Sequence, residues 1–270
     1  MLGIFKDLSN EDYHANAAIS RSGIKMFCES PYKYWANYLN PVRPKKKTTD
    51  AMELGSAFHT YILERDKFDE HYAIEPIKVL LKEVGRDAYD LYKKECEELE
   101  KTKKIVLSQI DMSTIYNMSL SLMKHIEARA LIKDAVYEES YFWGDEHSGL
   151  MVKARPDILR KNCIVDLKTC ASADSYTYQK TMVNDFLHVQ GAMIREGVKQ
   201  LTGNDIPTVV NICIEKTYPY AIGIKIISQS ALDAGHMKFK NSLLDMKNCM
   251  AENKWQSYEP EEVDLPVWSK

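Results

Sequence analysis

Long hydrophobic runs are missing from this chain, and no apolar stretch approaches the roughly 18 residues that a membrane span needs. The opening residues, "MLGIFKDLSNEDYH", have neither the basic start nor the apolar middle of a secretory leader. No two of the six cysteines (Cys28, Cys96, Cys163, Cys170, Cys213, Cys249) form a C-x-x-C pair. Reduced thiols in a cytoplasmic protein are therefore expected, rather than a disulfide framework. An excess of positive charge is missing too: 36 basic against 39 acidic residues leave a net charge of −3. Any contact with nucleic acid must then rest on a local basic patch. Internal repeats and low-complexity tracts are absent. What remains is an ordinary soluble composition, 45% hydrophobic and 28% charged, over 270 residues that suit one large domain or two small ones.

The pattern divides the chain near residue 131. Before it, helical periodicity prevails. "AISRSGIKMFCESPYKYWANYL" has a start signal at Ser20 and a break near Pro31. "ELGSAFHTYILE" (53–64) places Leu54, Phe58, Tyr61 and Ile62 at helical spacing. Residues 78–131 read as helices, one a charged surface helix and one opened by a capping-box-like Ser108 and Asp111. After it come three strand-like runs, "AVYEESYFWG", "LMVKARPDIL" and "CIVDLKT", joined by the short links "DEHSG" and "RKN" that suit hairpins. A helical stretch from about 175 to 201, a strand pair around Tyr218–Pro219 and an amphipathic closing helix complete the order. This predicts a mixed sheet flanked by helices.

The informative stretch is "VKARPDILRKNCIVDLKT", residues 152–169. Charged groups in a buried strand are costly unless they are paired or bind a metal. Strand side chains alternate, so Asp166 and Lys168 share one face while Val165 and Leu167 point into the core. A short hairpin would bring Asp157 beside Asp166, an acid pair able to hold one hard divalent cation. Lys168 next to it could orient or deprotonate a water, or stabilise developing phosphate charge. These are the parts of metal-dependent phosphodiester hydrolysis. A lone D-x-K on a strand is commonly a solvated face or an ion pair, so the motif is of modest specificity by itself.

The order of the motifs adds to it. "DLSNEDYHANAAISRSGIKMFCESPYKYW", "AMELGSAFHTYILE", "AVYEESYFWGDEHSGLMVKARPDIL", "IVDLKT", "DFLHVQGAMIREG" and "AENKWQSYEP" run through most of the chain. In that order they resemble the PD-(D/E)xK nuclease superfamily, and within it the RecE-type exonuclease VIII family of phage and prophage recombination enzymes. The resemblance implies a restriction-endonuclease-like α/β core, about 132–270, with a helical N-terminal half, about 1–131, packed on it as a single domain over 1–270. It implies Asp157 and Asp166 as metal-binding acids, Lys168 as the catalytic lysine, and His59 of "GSAFH" near the metal. Glu138 matches an acidic position on the strand entering the site, with Glu139 as the adjacent alternative. Gln190 matches the glutamine of a Q-x-x-x-Y motif whose tyrosine is Ile194 here. Mg²⁺, with Mn²⁺ as a substitute, is the implied cofactor. The implied activity is 5′-to-3′ resection of double-stranded DNA ends, leaving 3′ single strands for a strand-annealing recombinase, by a ring-like homo-oligomer in the cytoplasm of a bacterial host.

Each site residue also has a structural reading. His59 on a half-apolar helix could be a satisfied core histidine, and Gln190 a helix-surface amide. The aromatics Tyr32, Tyr34, Trp35 and Tyr38 could stack on bases, but core packing is the expected use. The cysteines lack the closely spaced C-terminal group of the iron–sulfur branch, so no cluster is expected. Basic lining for DNA is expected from Lys45–Lys47, or from Lys153, Arg155 and Arg160. A structure-specific endonuclease of the same superfamily, or a DNA-binding or assembly protein that has lost catalysis, are the alternative readings.

Overall fold

The computed structural model describes residues 1–44, 49–265 and 269; Lys45, Lys46 and Lys47 lie outside them. The N-terminal half is built of short capped helices. After strand β1 (Gly3–Phe5) come α1 (Asn10–Ala15) and α2 (Arg21–Glu29), the latter capped by the Ser20 hydroxyl, which accepts from the Gly23 N–H. Ser30 ends α2 and caps α3 (Pro31–Tyr34), whose first residue is the proline, so the chain breaks at the position its sequence implies. A π-helical turn, Trp35–Leu39, follows. Then come α4 (Asp50–Leu63), α5 (Arg65–His71), β2 (Tyr72–Ile74), α6 (Leu81–Val84) and α7 (Arg86–Glu100). α7 buries no residue, as expected of a charged surface helix. β3 (Ile105–Leu107) pairs in parallel with β2. α8 (Gln109–Lys124) opens with the Ser108–Asp111 capping box, and α9 (Ile126–Ile132) follows it.

The strand-rich half differs from three simple hairpin-linked strands. The first run breaks into β4 (Val136–Tyr137) and β5 (Ser140–Gly144), and the second into β6 (Met151–Ala154) and β7 (Ile158–Leu159). The first break falls at Glu138, whose φ of 51° is left-handed and interrupts the ladder. The second contains Pro156, which has no N–H to donate. Two sheets result. β1, β5 and β6 make an antiparallel three-stranded sheet. The central sheet is five-stranded and mixed, in the order β10-β9-β8-β7-β4, with β8 (Cys163–Cys170), β9 (Thr208–Glu215) and β10 (Ile222–Ile226). β8 and β9 are parallel, so the chain between them crosses over through α10 (Ser175–Asn184) and α11 (Leu187–Thr202). α12 (Gln229–Glu252) closes the chain on α11.

Alternation along β8 sorts the core. Cys163, Val165 and Leu167 pack in one apolar cluster with Phe58 of α4 and Ile115, Met118 and Leu122 of α8. Ile164 packs on the opposite face, in a cluster with Val189 and Met193 of α11 and Phe239 of α12. Asp166 and Lys168 follow Ile164 on that second face, so the face carrying the charges starts dry and runs toward the opening.

Candidate active site

The site forms where β7 and β8 meet the N-terminal helices. Asp157 ends the Pro156 break and is 8% exposed. One of its carboxylate oxygens accepts the backbone N–H of Leu167 at 2.7 Å, and His59 Nδ1 of α4 lies 3.6 Å from the same oxygen. Glu138 enters from the break after β4, its N–H bonded to the Asp157 carbonyl at 3.2 Å. The left-handed backbone there turns Glu138 toward the site, whereas Glu139 turns away. Glu139 accepts from the Tyr141 hydroxyl at 2.9 Å and pairs with Lys6 at 3.5 Å. One ligand atom each from His59, Glu138 and Asp157 lies within 4.8 Å of the others.

Asp166 stands beside this trio and is differently engaged. Its Oδ1 accepts from Gln190 Nε2 at 2.8 Å. Its Oδ2 accepts from Asn211 Nδ2 and from Lys168 Nζ, each at 2.8 Å. The site thus joins a histidine and two acids on one side to a lysine-paired acid on the other, and Gln190 is held to the latter. Ile194, one helical turn on, is buried in the apolar cluster. Asn211 was legible as a polar residue inside the apolar strand "TVVNICIEK", by the argument that singles out Asp166. Tyr178, whose hydroxyl donates to Asn211 Oδ1 at 2.6 Å, gave no such signal.

The electrostatics follow from crowding acids in a poorly solvated place. Burial, then the fields of Asp157 and Glu64, push the Glu138 carboxyl up to about 9. Burial and Asp166 raise Asp157 as well, against the lowering effect of His59, Lys168 and the Leu167 N–H. Burial pulls Lys168 downward, but the adjacent Asp166 and Asp157 outweigh it and raise the ammonium above its ordinary value. The Lys168 ammonium, 2.8 Å from Asp166, is placed to stabilise phosphate charge or to orient a water. Glu138 keeps a proton that a divalent cation would displace. An imidazole with two carboxylates is an appropriate donor set for such a cation. Gln190 Oε1 is buried and has no hydrogen-bond donor among the described residues.

Of the expected basic lining, Lys45, Lys46 and Lys47 lie outside the described residues, and Lys153, Arg155 and Arg160 make contacts that hold the fold. Lys153 is buried, its ammonium donating to the carbonyls of Tyr13 and Asn16, and burial followed by Arg155 lowers it to about 8. Arg155 clasps the N-terminal segment through Leu8 O, Asn10 Oδ1 and Ser140 Oγ, with its guanidinium 4.3 Å from the Tyr13 ring. Arg160 donates to the carbonyls of Ala130, Leu131 and Lys133 at the end of α9. Arg21, at the start of α2, donates to the Asp185 carbonyl at 2.9 Å and also reaches the site. It lines a cavity of about 160 Å³ with Lys168, Thr169 and Tyr178. On the Glu138 side a larger cavity of about 770 Å³ opens, lined by Lys6, Glu64, Lys67 and Lys104 among others. Tyr34 and Tyr38 stack on each other at 5.0 Å, and Tyr34 is buried, in keeping with core packing; Tyr32 is exposed and stacks on Trp35 at 5.7 Å.

This arrangement, a mixed sheet with acids and a D-x-K lysine at one end, is the restriction-endonuclease-like fold. A family model for a PDDEXK-like domain of unknown function (DUF3799) matches residues 20–265, and the chain belongs to that family. A crystal structure of a "Putative exonuclease" from Eubacterium rectale superposes with a TM-score of 0.64 at 19% identity, over 95% of this chain and 96% of that one. The structure of SSO0001 covers 77% of this chain and 89% of its own at 14% identity, with a TM-score of 0.31 that carries no weight for the fold. No curated protein matches. No helix of the described residues is long and apolar enough to cross a membrane.

Proposed function

We propose that this protein is a nuclease, and more specifically a Mg²⁺-dependent 5′-to-3′ exodeoxyribonuclease of the RecE type, with Mn²⁺ as a substitute cation. The observation that carries the reading is the meeting of His59, Glu138 and Asp157 beside the Asp166–Lys168 pair. His59, Glu138 and Asp157 would hold the cation together with Asp166, whose Oδ1 keeps capacity for it. A bound divalent ion lowers the pKa of water and polarises the phosphoryl oxygens. Lys168 sets a positive charge against the negative charge that grows on the phosphate during attack. Membership of a PDDEXK-like family supports phosphodiester hydrolysis. The exonuclease name of the Eubacterium rectale protein agrees with action at ends.

Polarity rests on reading a terminus. A site of this kind cuts one strand at a time, so a duplex end should lose one strand and keep the other. Arg21 is the side chain we assign to the terminal 5′ phosphate, because it lines the same cavity as Lys168 and can make charge-assisted contacts. The retained 3′ single strand would pass to a strand-annealing recombinase.

Linear duplex labelled separately at each end, compared with a closed circle, tests the proposal. Mg²⁺-dependent early release of the 5′ label as mononucleotide, slower on single strands and absent on the circle, is expected. Early release of the 3′ label, or nicking of the circle, gives the opposite polarity or an endonuclease. Cleavage that survives excess EDTA removes the metal mechanism.

A further inference from the structure

Asp166 must hold one orientation if its two oxygens are to serve different neighbours, and the groups that hold it lie behind it in the fold. Asn211 stands directly opposite Asp166 in the parallel register of β8 and β9, and both are 3% exposed. Its amide donates to Asp166 Oδ2 at 2.8 Å, on the oxygen that Lys168 also contacts at 2.8 Å. A carboxylate oxygen has two lone pairs, so Oδ2 is fully used. Oδ1 accepts from Gln190 alone among the contacts described and keeps capacity for a cation. An amide can flip, and a flipped Asn211 would turn its own oxygen on the carboxylate. Tyr178 of α10 opposes that flip: its hydroxyl, 2.6 Å from Asn211 Oδ1, gives the amide oxygen a donor on the far side. Burial raises the Tyr178 phenol above its ordinary value, so it stays a donor at any working pH.

We propose that Tyr178 and Asn211 form a positioning relay that fixes the Asp166 carboxylate, committing Oδ2 to Lys168 and leaving Oδ1 for the divalent cation. The inference rests on the metal-dependent reading above and adds to it two residues that act through Asp166. Partners that orient a metal ligand in this way commonly contribute about 10- to 100-fold to metal affinity. The relay also links the crossover helix α10 to the site, since it is the hydroxyl of an α10 residue that sets the amide.

Calorimetric titration of the full chain with Mn²⁺ tests it, using unaltered protein, Tyr178→Phe, Asn211→Leu and the double variant. Tyr178→Phe keeps the ring that fills the core but leaves the buried Asn211 Oδ1 without its donor, so its metal-free unfolding midpoint should fall modestly while the chain stays folded, and Mn²⁺ binding should weaken about 10-fold or more. Asn211→Leu should weaken binding at least as much. The double variant should be no worse than Asn211→Leu alone, because the hydroxyl acts only through the amide. If Asn211→Leu does not fold, Tyr178→Phe decides alone. Tyr178→Phe binding within about twofold of the unaltered chain, or losses that add in the double variant, overturn the relay and leave the metal reading standing. No Mn²⁺ binding by the unaltered chain overturns both.

Discussion

Lys168 and Glu138 illustrate how one crowded group of acids sets two opposite protonation states. The ammonium is held protonated by Asp166 and Asp157, and the Glu138 carboxyl is held neutral by burial and by Asp157. If the lysine acts by charge, Lys168→Ala should lower turnover by about 100-fold or more while DNA binding, read by fluorescence anisotropy, is retained. A matching loss of binding would make it a phosphate anchor instead. Asp157→Asn should abolish cleavage with the circular-dichroism spectrum unchanged, since it removes a ligand charge from a place where like charges already repel. The Glu138 shift also has a sign in stability. Between its ordinary 4.5 and about 9 the unfolded chain has lost the proton that the folded chain keeps. Stability of the metal-free protein should therefore fall as pH rises through that window, and the raised Asp157 acts in the same direction. Denaturant midpoints at pH 5, 7 and 9 should decline without metal. The gain from Mg²⁺ should grow with pH, because the cation replaces the proton. A flat metal-free profile would return Glu138 to an ordinary acid.

At the scale of elements, the site depends on how closely helices approach the sheet. α11 carries Gln190 and is pressed from behind by α12. A Cβ at Gly235 would sit 2.4 Å from the His188 carbonyl oxygen and 2.9 Å from the Val189 nitrogen. These are backbone atoms, which cannot swing aside as a side-chain end can. Gly235→Ala should force the two helices apart, at a cost of about 1–3 kcal/mol, read as a fall in the thermal midpoint. It should also lengthen the Gln190–Asp166 contact. On the other side of the sheet, α4 presents His59 one residue past the buried Phe58, so the packing of Phe58 sets the imidazole's height over Asp157.

For the whole molecule the open matter is how a chain of net charge −3 would hold a polyanion. Lys153, Arg155 and Arg160 donate to backbone carbonyls and to the N-terminal segment and so hold the fold, although Arg155 also lines the cavity beside Glu138. We propose enclosure as the remedy: a ring-like homo-oligomer would retain DNA between steps with only a modest basic wall. Light scattering at working concentration should then give a mass that is a small multiple of 31.1 kDa. A strict monomer would remove enclosure as the explanation.

The order of apolar periods, caps and turn residues determined the helical first half, the strand-rich second half and a mixed sheet flanked by helices, while the restriction-endonuclease-like class was implied by the resemblance that the order of motifs carries. These signals are local, each written in neighbouring residues such as Ser20, Pro31 and the Ser108–Asp111 pair. The alternation in "CIVDLKT" likewise put Asp166 and Lys168 on one face, because a strand's period needs no distant partner. Tertiary structure alone decided which glutamate enters the site, since that turns on one left-handed backbone angle at the meeting of two sheets. It also decided that Asp166 is taken up by Lys168, Gln190 and Asn211 while His59, Glu138 and Asp157 converge. A buried carboxylate takes whichever donors long-range packing brings within about 3 Å, and residues 45 positions apart, such as Asp166 and Asn211, become neighbours only once β8 and β9 pair.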